Sequence, residues 1–160
     1  LGLGTIATQA SNSVDIDGGA IDGTVIGANS AAAGTFAAVT GTNILASATL
    51  GYTTGNGGTV TQGTSKTTGV TLNKISGEIV MNNAALADDA TAAFTLTNST
   101  IAATDVVIVN VASVGTAGAY QVTVGAVAAG SCSISVLNVS GGSLSQAIKL
   151  NFAVIKAVAS

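Results

Sequence analysis

Histidine, arginine, proline and tryptophan are absent from this sequence, and charge of either sign is scarce. Without histidine, no side chain has an ordinary pKa near neutrality, so Ser–His and Cys–His nucleophile pairs and imidazole metal sites are excluded. Without arginine, no guanidinium is present to clamp a phosphate or an oxyanion. The four cations, Lys66, Lys74, Lys149 and Lys156, are scattered, and the formal net charge is −3. Nucleic-acid binding needs clustered cations to displace counterions, so no nucleic-acid partner is expected.

Cys132 is the single cysteine, so no intrachain disulfide is available. It lies in SCSISVLNV, where Cys132, Ile134 and Val136 share one strand face, and is expected as a small buried core residue. No apolar run approaches the roughly 18 residues of a membrane span, so no membrane insertion is expected. The chain opens at Leu1 without methionine, and no charged n-region or h-region is visible. That start suggests a processed product or a true N-terminus lying upstream.

Aromatics make up 3% of the residues and charged residues 7%, against roughly 25% charged in ordinary globular chains. A mean hydropathy of +0.64 and abundant β-branched residues argue against disorder. The implied surface is rich in Thr, Ser, Asn and Ala and prone to associate with other subunits.

What is present falls into two β-type textures. Residues 1–50 run as short Gly/Thr/Ala/Ile units. Within them Ile16, Ile21 and Ile26 are spaced by five, as are Asp17 and Asp22, and Gly18 and Gly23. Units this short do not bury a face alone. The economical solution is intertwining with identical chains, isoleucines inward, which makes Ile16, Ile21 and Ile26 the expected stalk core. Residues 51–57, within GYTTGNGG, read as a Gly-rich hinge.

From 58 to 160 strand signals are frequent. The expected strands are 58–64, 68–74, 77–82, 92–98, 105–112, 119–128, 131–139 and 146–158. The last alternates most clearly, with Ile148, Leu150, Phe152 and Val154 on one face. AALADDA at 84–90 is at most one helical turn. The pattern predicts an all-β chain, an extended β stalk followed by an antiparallel β-sandwich tip, jelly-roll-like.

The residues also resemble a known group. LGTIATQASNSVDIDGGAIDGTVIGANSAAAGTF is similar to the Gly/Thr-rich repeat of bacteriophage fibre proteins. GTVTQGTSKTTGVTLNKISGEIVMNNAAL, FTLTNSTIAATDVVIVNV, GTAGAYQV and NVSGGSLSQAIKLNFAVIKAV resemble a C-terminal domain of phage virion proteins. The resemblance implies a homotrimeric fibre or capsid decoration protein on the virion surface, made in the host cytoplasm. Residues 1–50 would dock it to a capsid or tail protein. Two departures stand out: the proline usual before AAGTF is Ala31 or Ala32, and Asp15, Asp17 and Asp22 replace the usual Asn or Thr.

Those three aspartates are the candidate metal ligands, for calcium, although they lack the EF-hand spacing and a bidentate glutamate. No cofactor is expected. The remaining acids are Glu78, Asp88, Asp89 and Asp105. A glycosidase-type pair needs two carboxyls in one cleft, whereas Asp88 and Asp89 read as a solvated turn. The inventory therefore argues against an enzyme. Sugar-binding tips offer aromatic faces; Phe94 and Phe152 fall in core phase, which leaves Tyr52 and Tyr120 as candidate receptor contacts for a host cell-surface glycan. Asn98-Ser99-Thr100 and Asn138-Val139-Ser140 match the glycosylation pattern, read as incidental.

The expected function is a structural fibre, a capsid head fibre slightly ahead of a tail fibre that mediates attachment. Weak host adhesion by the tip accompanies it. A bacterial surface adhesin module is the rival class.

Overall fold

The chain divides into two units, Leu1–Leu45 and Ala46–Ser160. A computed structural model describes residues 50–113 and 115–158. The stalk expectations for Ile16, Ile21 and Ile26, and the cation expectation for Asp15, Asp17 and Asp22, lie outside the described residues.

The described residues form eight strands and no helix: β1 (Thr59–Thr61), β2 (Val70–Thr71), β3 (Ser76–Val80), β4 (Thr91–Thr97), β5 (Val106–Ser113), β6 (Tyr120–Ala128), β7 (Ser131–Asn138) and β8 (Lys149–Ile155). They make two four-stranded sheets, β1-β3-β8-β5 and β2-β4-β7-β6. Period-two alternation is the cause. In β4 every second residue, Ala92, Phe94 and Leu96, is buried, and in β7 Cys132, Ile134 and Val136 are. In β8 the buried set is Leu150, Phe152 and Val154, with Ile148 just before it. One hydrophobic cluster unites the inward faces of both sheets, with Ile79, Met81 and Val107 added from the first.

Two features correct the antiparallel, jelly-roll-like expectation. β1 pairs with β3 in parallel, Val60 opposite Ile79, and β2 with β4 in parallel, Val70 opposite Leu96. Jelly rolls are antiparallel sheets. The connectivity supplies the reason. From β1 to β4 the chain alternates between the sheets, so each strand of one sheet is followed by a return strand in the other. The next strand then runs in its predecessor's direction. Parallel neighbours need a crossover, and here the crossover is a strand of the opposite sheet. The other pairings, β3–β8, β5–β8, β4–β7 and β6–β7, are antiparallel.

Gly77 shows how tightly β1 and β2 close on this frame. A Cβ there would lie 2.7 Å from the Gly58 carbonyl oxygen and 2.7 Å from Leu72 Cδ2. The β6–β7 hairpin turns through Ala129 and Gly130, with Gly130 at φ 82°, where glycine carries no steric cost. AALADDA forms no helix; Ala87 to Ala90 make a turn with Asp89 at φ 55°.

Candidate functional site

Of the acids and lysines in the described domain, all but Asp89 bond through their side chains to other parts of it. Glu78 on β3 and Lys149 on β8 pair across the outward face at 3.1 Å. Asp88 Oδ1 accepts the Gly141 N–H at 2.9 Å, in the exposed turn the sequence predicts. Lys74 Nζ donates to the Gly55 carbonyl at 2.9 Å. Among the described residues no three His, Cys, Asp or Glu side chains cluster as a metal site.

Asp105 is buried at the start of β5. Its Oδ2 accepts the Ala102 N–H at 2.7 Å and pairs with Lys156 Nζ. The Ala102 N–H, and after it the Lys156 ammonium, hold the carboxyl below its ordinary pKa. A depressed carboxylate pKa stabilises the fold above the ordinary value of about 3.9 and loses that contribution as pH falls through the lower folded value. We therefore expect Asp105→Asn to flatten the acid limb of the stability–pH curve below about pH 4. An acid limb as steep as the native one, in urea titrations across that range, would remove Asp105 as its source.

Lys66 is the unexpected cation. It is only 3% exposed, and no carboxylate pairs with it among the described residues. Its Nζ donates to the Asn82 and Gln146 carbonyls, each at 2.5 Å, and burial pushes its pKa down. Gln62, equally buried, donates from Nε2 to the carbonyls of Lys66 and Thr68, at 3.0 and 2.9 Å, and accepts the Asn82 N–H at 3.1 Å. Together they stitch the loop between β1 and β2 to the segments before β4 and β8.

Two asparagines have the same role, and both belong to the glycosylation-type triplets. Asn98 is fully buried; Nδ2 donates to the Lys74 carbonyl at 2.7 Å and Oδ1 accepts the Thr100 N–H. Asn138, also fully buried, donates from Nδ2 to the Leu86, Ala87 and Gly142 carbonyls. Both amides are spent on backbone, so neither is presented for modification in the folded domain. Their signal in the sequence is Asn at a strand end before a turn.

The two tyrosines separate. Tyr120 lies in the core at 8% exposure, which corrects the surface expectation. It is in phase with Val122 and Val124, and its buried hydroxyl has no hydrogen-bond partner. Burial raises its pKa, as it raises that of the Cys132 thiol, which is buried as expected. Tyr52 is half-exposed, and its hydroxyl donates to the Val154 carbonyl. With Leu50, Gly51, Ala153 and Ile155 it lines an apolar groove of about 430 Å³.

Exposed aliphatic side chains adjoin this groove. Val106 and Ile108 on β5 and Ile155 on β8 are about half-exposed, at 51%, 50% and 47%. The register sets Val106 opposite Ile155 and Ile108 opposite Ala153. The candidate site is thus an exposed apolar surface of aliphatic side chains and one tyrosine ring. Tyr52 stands out in the sequence as a surface candidate, and the three aliphatic residues around it do not. For Val106 and Ile108 the signal is an apolar residue at outward positions of VVIVNVA, where a one-sided strand would be polar, and for Ile155 the outward phase it shares with Lys149, Asn151 and Ala153. No protein-family model matches the chain, nor does any curated protein or solved structure.

Proposed function

We propose that this chain is a non-catalytic structural protein of a bacteriophage particle, a homotrimeric fibre with the sandwich as its tip. Residues 1–50 form the intertwined stalk and dock to a capsid or tail protein. The observation that carries the reading is the use made of ionisable side chains. Glu78, Asp88, Asp105, Lys66, Lys74, Lys149 and Lys156 all hold strands and loops together. What the domain offers outward is apolar and hydroxyl-rich surface, suited to contact rather than chemistry. The resemblance of residues 3–36 to phage fibre repeats supports the particle assignment.

A head fibre is favoured over a tail fibre. Tyr52 is the one large aromatic exposed among the described residues, a small platform for sugar stacking. Adhesion by the tip is accordingly weak. Gold-labelled antibody on intact particles decides the location, with label expected on the capsid and label on the tail reversing the assignment.

The stalk is tested by Ile21→Asp. A carboxylate placed where isoleucines of three chains meet is left buried and unpaired. The variant should dissociate at concentrations at least roughly tenfold above those of the native chain, by sedimentation, since about 1.4 kcal/mol already corresponds to that factor. An unchanged mass at high dilution would sink the intertwined stalk.

A further inference from the structure

Asn56-Gly57 is the only asparagine–glycine step in the sequence. An asparagine side chain can close on the main-chain nitrogen that follows it, forming a succinimide ring. A side chain on the following residue hinders that approach, and glycine has none. Asparagine is for this reason a thermolabile residue.

Both reacting groups are accessible in the folded domain. Asn56 and Gly57 are exposed and lie just before β1. The Asn56 amide is held by a single exposed bond, Nδ2 to Thr53 Oγ1 at 3.0 Å. The Gly57 N–H donates to no acceptor among the described residues. Other asparagines are withheld from the same reaction. Asn98 and Asn138 are fully buried, with their amides bonded to carbonyls. Asn83 is followed by Ala84, whose N–H is given to Asn82 Oδ1 at 2.8 Å. Asn110 and Asn151 lie within β5 and β8, each before a bulky residue.

We propose that Asn56 is a modification site, deamidating by ring closure with Gly57 in the folded protein. The Gly57 nitrogen gives up its proton to solvent base and attacks Asn56 Cγ. The new N–Cγ bond forms, the Cγ–Nδ2 bond breaks, and Nδ2 leaves as ammonia. Water then opens the succinimide, and nothing is oxidised or reduced. Opening at Cγ yields aspartate; opening at the main-chain carbonyl carbon yields isoaspartate, with an additional main-chain carbon. Either product adds a negative charge next to Gly55, whose carbonyl binds Lys74 Nζ at 2.9 Å. The new carboxylate therefore arises close to a cation. The inference does not depend on the fibre reading.

The test incubates the native full-length chain in mildly alkaline buffer and follows peptides containing residue 56 by mass spectrometry with fragmentation. The expected result is a gain of about 1 Da at residue 56, as aspartate and isoaspartate together, ahead of every other described asparagine. Gly57→Ala should slow the gain by at least about tenfold. Its Cβ would lie 3.5 Å from Ser76 Oγ, an ordinary contact, and an unchanged thermal melt checks the fold. Asn56→Gln, whose longer side chain does not form the succinimide, repeats the comparison if alanine disturbs folding. A gain at residue 56 no faster than at Asn83 or Asn110 overturns the proposal. So does an unchanged rate in Gly57→Ala, or aspartate as the sole product.

Discussion

Asn138→Asp should be among the most destabilising single substitutions in this domain, by about 4 kcal/mol. The change is nearly isosteric, so packing is not what fails. Asn138 Nδ2 serves three carbonyls, at 2.8 Å to Leu86, 3.1 Å to Ala87 and 2.7 Å to Gly142. Its Oδ1 accepts the Ser140 N–H at 3.0 Å. Aspartate keeps that acceptor but turns a carboxylate oxygen toward three carbonyl oxygens in a site with no solvent exposure. The carboxyl must either stay charged and unpaired or take up a proton, and both cost stability at neutral pH. Small domains have about 5–15 kcal/mol in total, so the variant should lie near the limit of folding. Chemical denaturation reads the loss as a lower urea midpoint. A loss under about 1 kcal/mol would mean that these loops do not depend on the Asn138 amide.

Lys66→Met should cost about 2–3 kcal/mol, and its sign decides between two opposing effects. Methionine removes a buried ammonium with no counter-charge among the described residues, which favours the variant. It also leaves the Asn82 and Gln146 carbonyls without the donor they share. A buried carbonyl left unsatisfied costs about 1–3 kcal/mol. The ammonium's own burial penalty is already reduced by those two charge-assisted bonds, so the orphaned acceptors should dominate. A lower urea midpoint with an unchanged slope is the expected result. A raised midpoint would show that desolvation of the charge outweighs both hydrogen bonds.

All eight expected strands are present because alternation leaves a plain trace. The run 146–158 contains β8, and its buried set is the one read from the sequence. The early strands were less legible. The expected 58–64 and 68–74 contract to Thr59–Thr61 and Val70–Thr71. Gln62 and Lys66 draw the intervening chain into a loop held by side chains, which a strand pattern does not reveal. Parallel pairing was hidden for another reason, since a strand buried on one face alternates alike in parallel and antiparallel partners. Tyr120, expected at the surface, is buried in phase with Val122 and Val124; the register break before Val127 obscures that phase in the sequence. The burial of Lys66 was not legible, because a buried polar residue and a surface one look the same until their partners are placed; Asn98 and Asn138 show in the sequence only as asparagines that end strands. Of the exposed apolar surface, Tyr52 was visible as an aromatic outside core phase. Val106, Ile108 and Ile155 look in the sequence like ordinary strand residues, because an apolar side chain in a strand reads alike whether it faces the core or solvent.

The most direct test of the fibre account is the mass of the full chain by size-exclusion chromatography with light scattering. The account predicts three times the 15.2 kDa chain mass, persisting on dilution. A particle of 15.2 kDa at every concentration would contradict it.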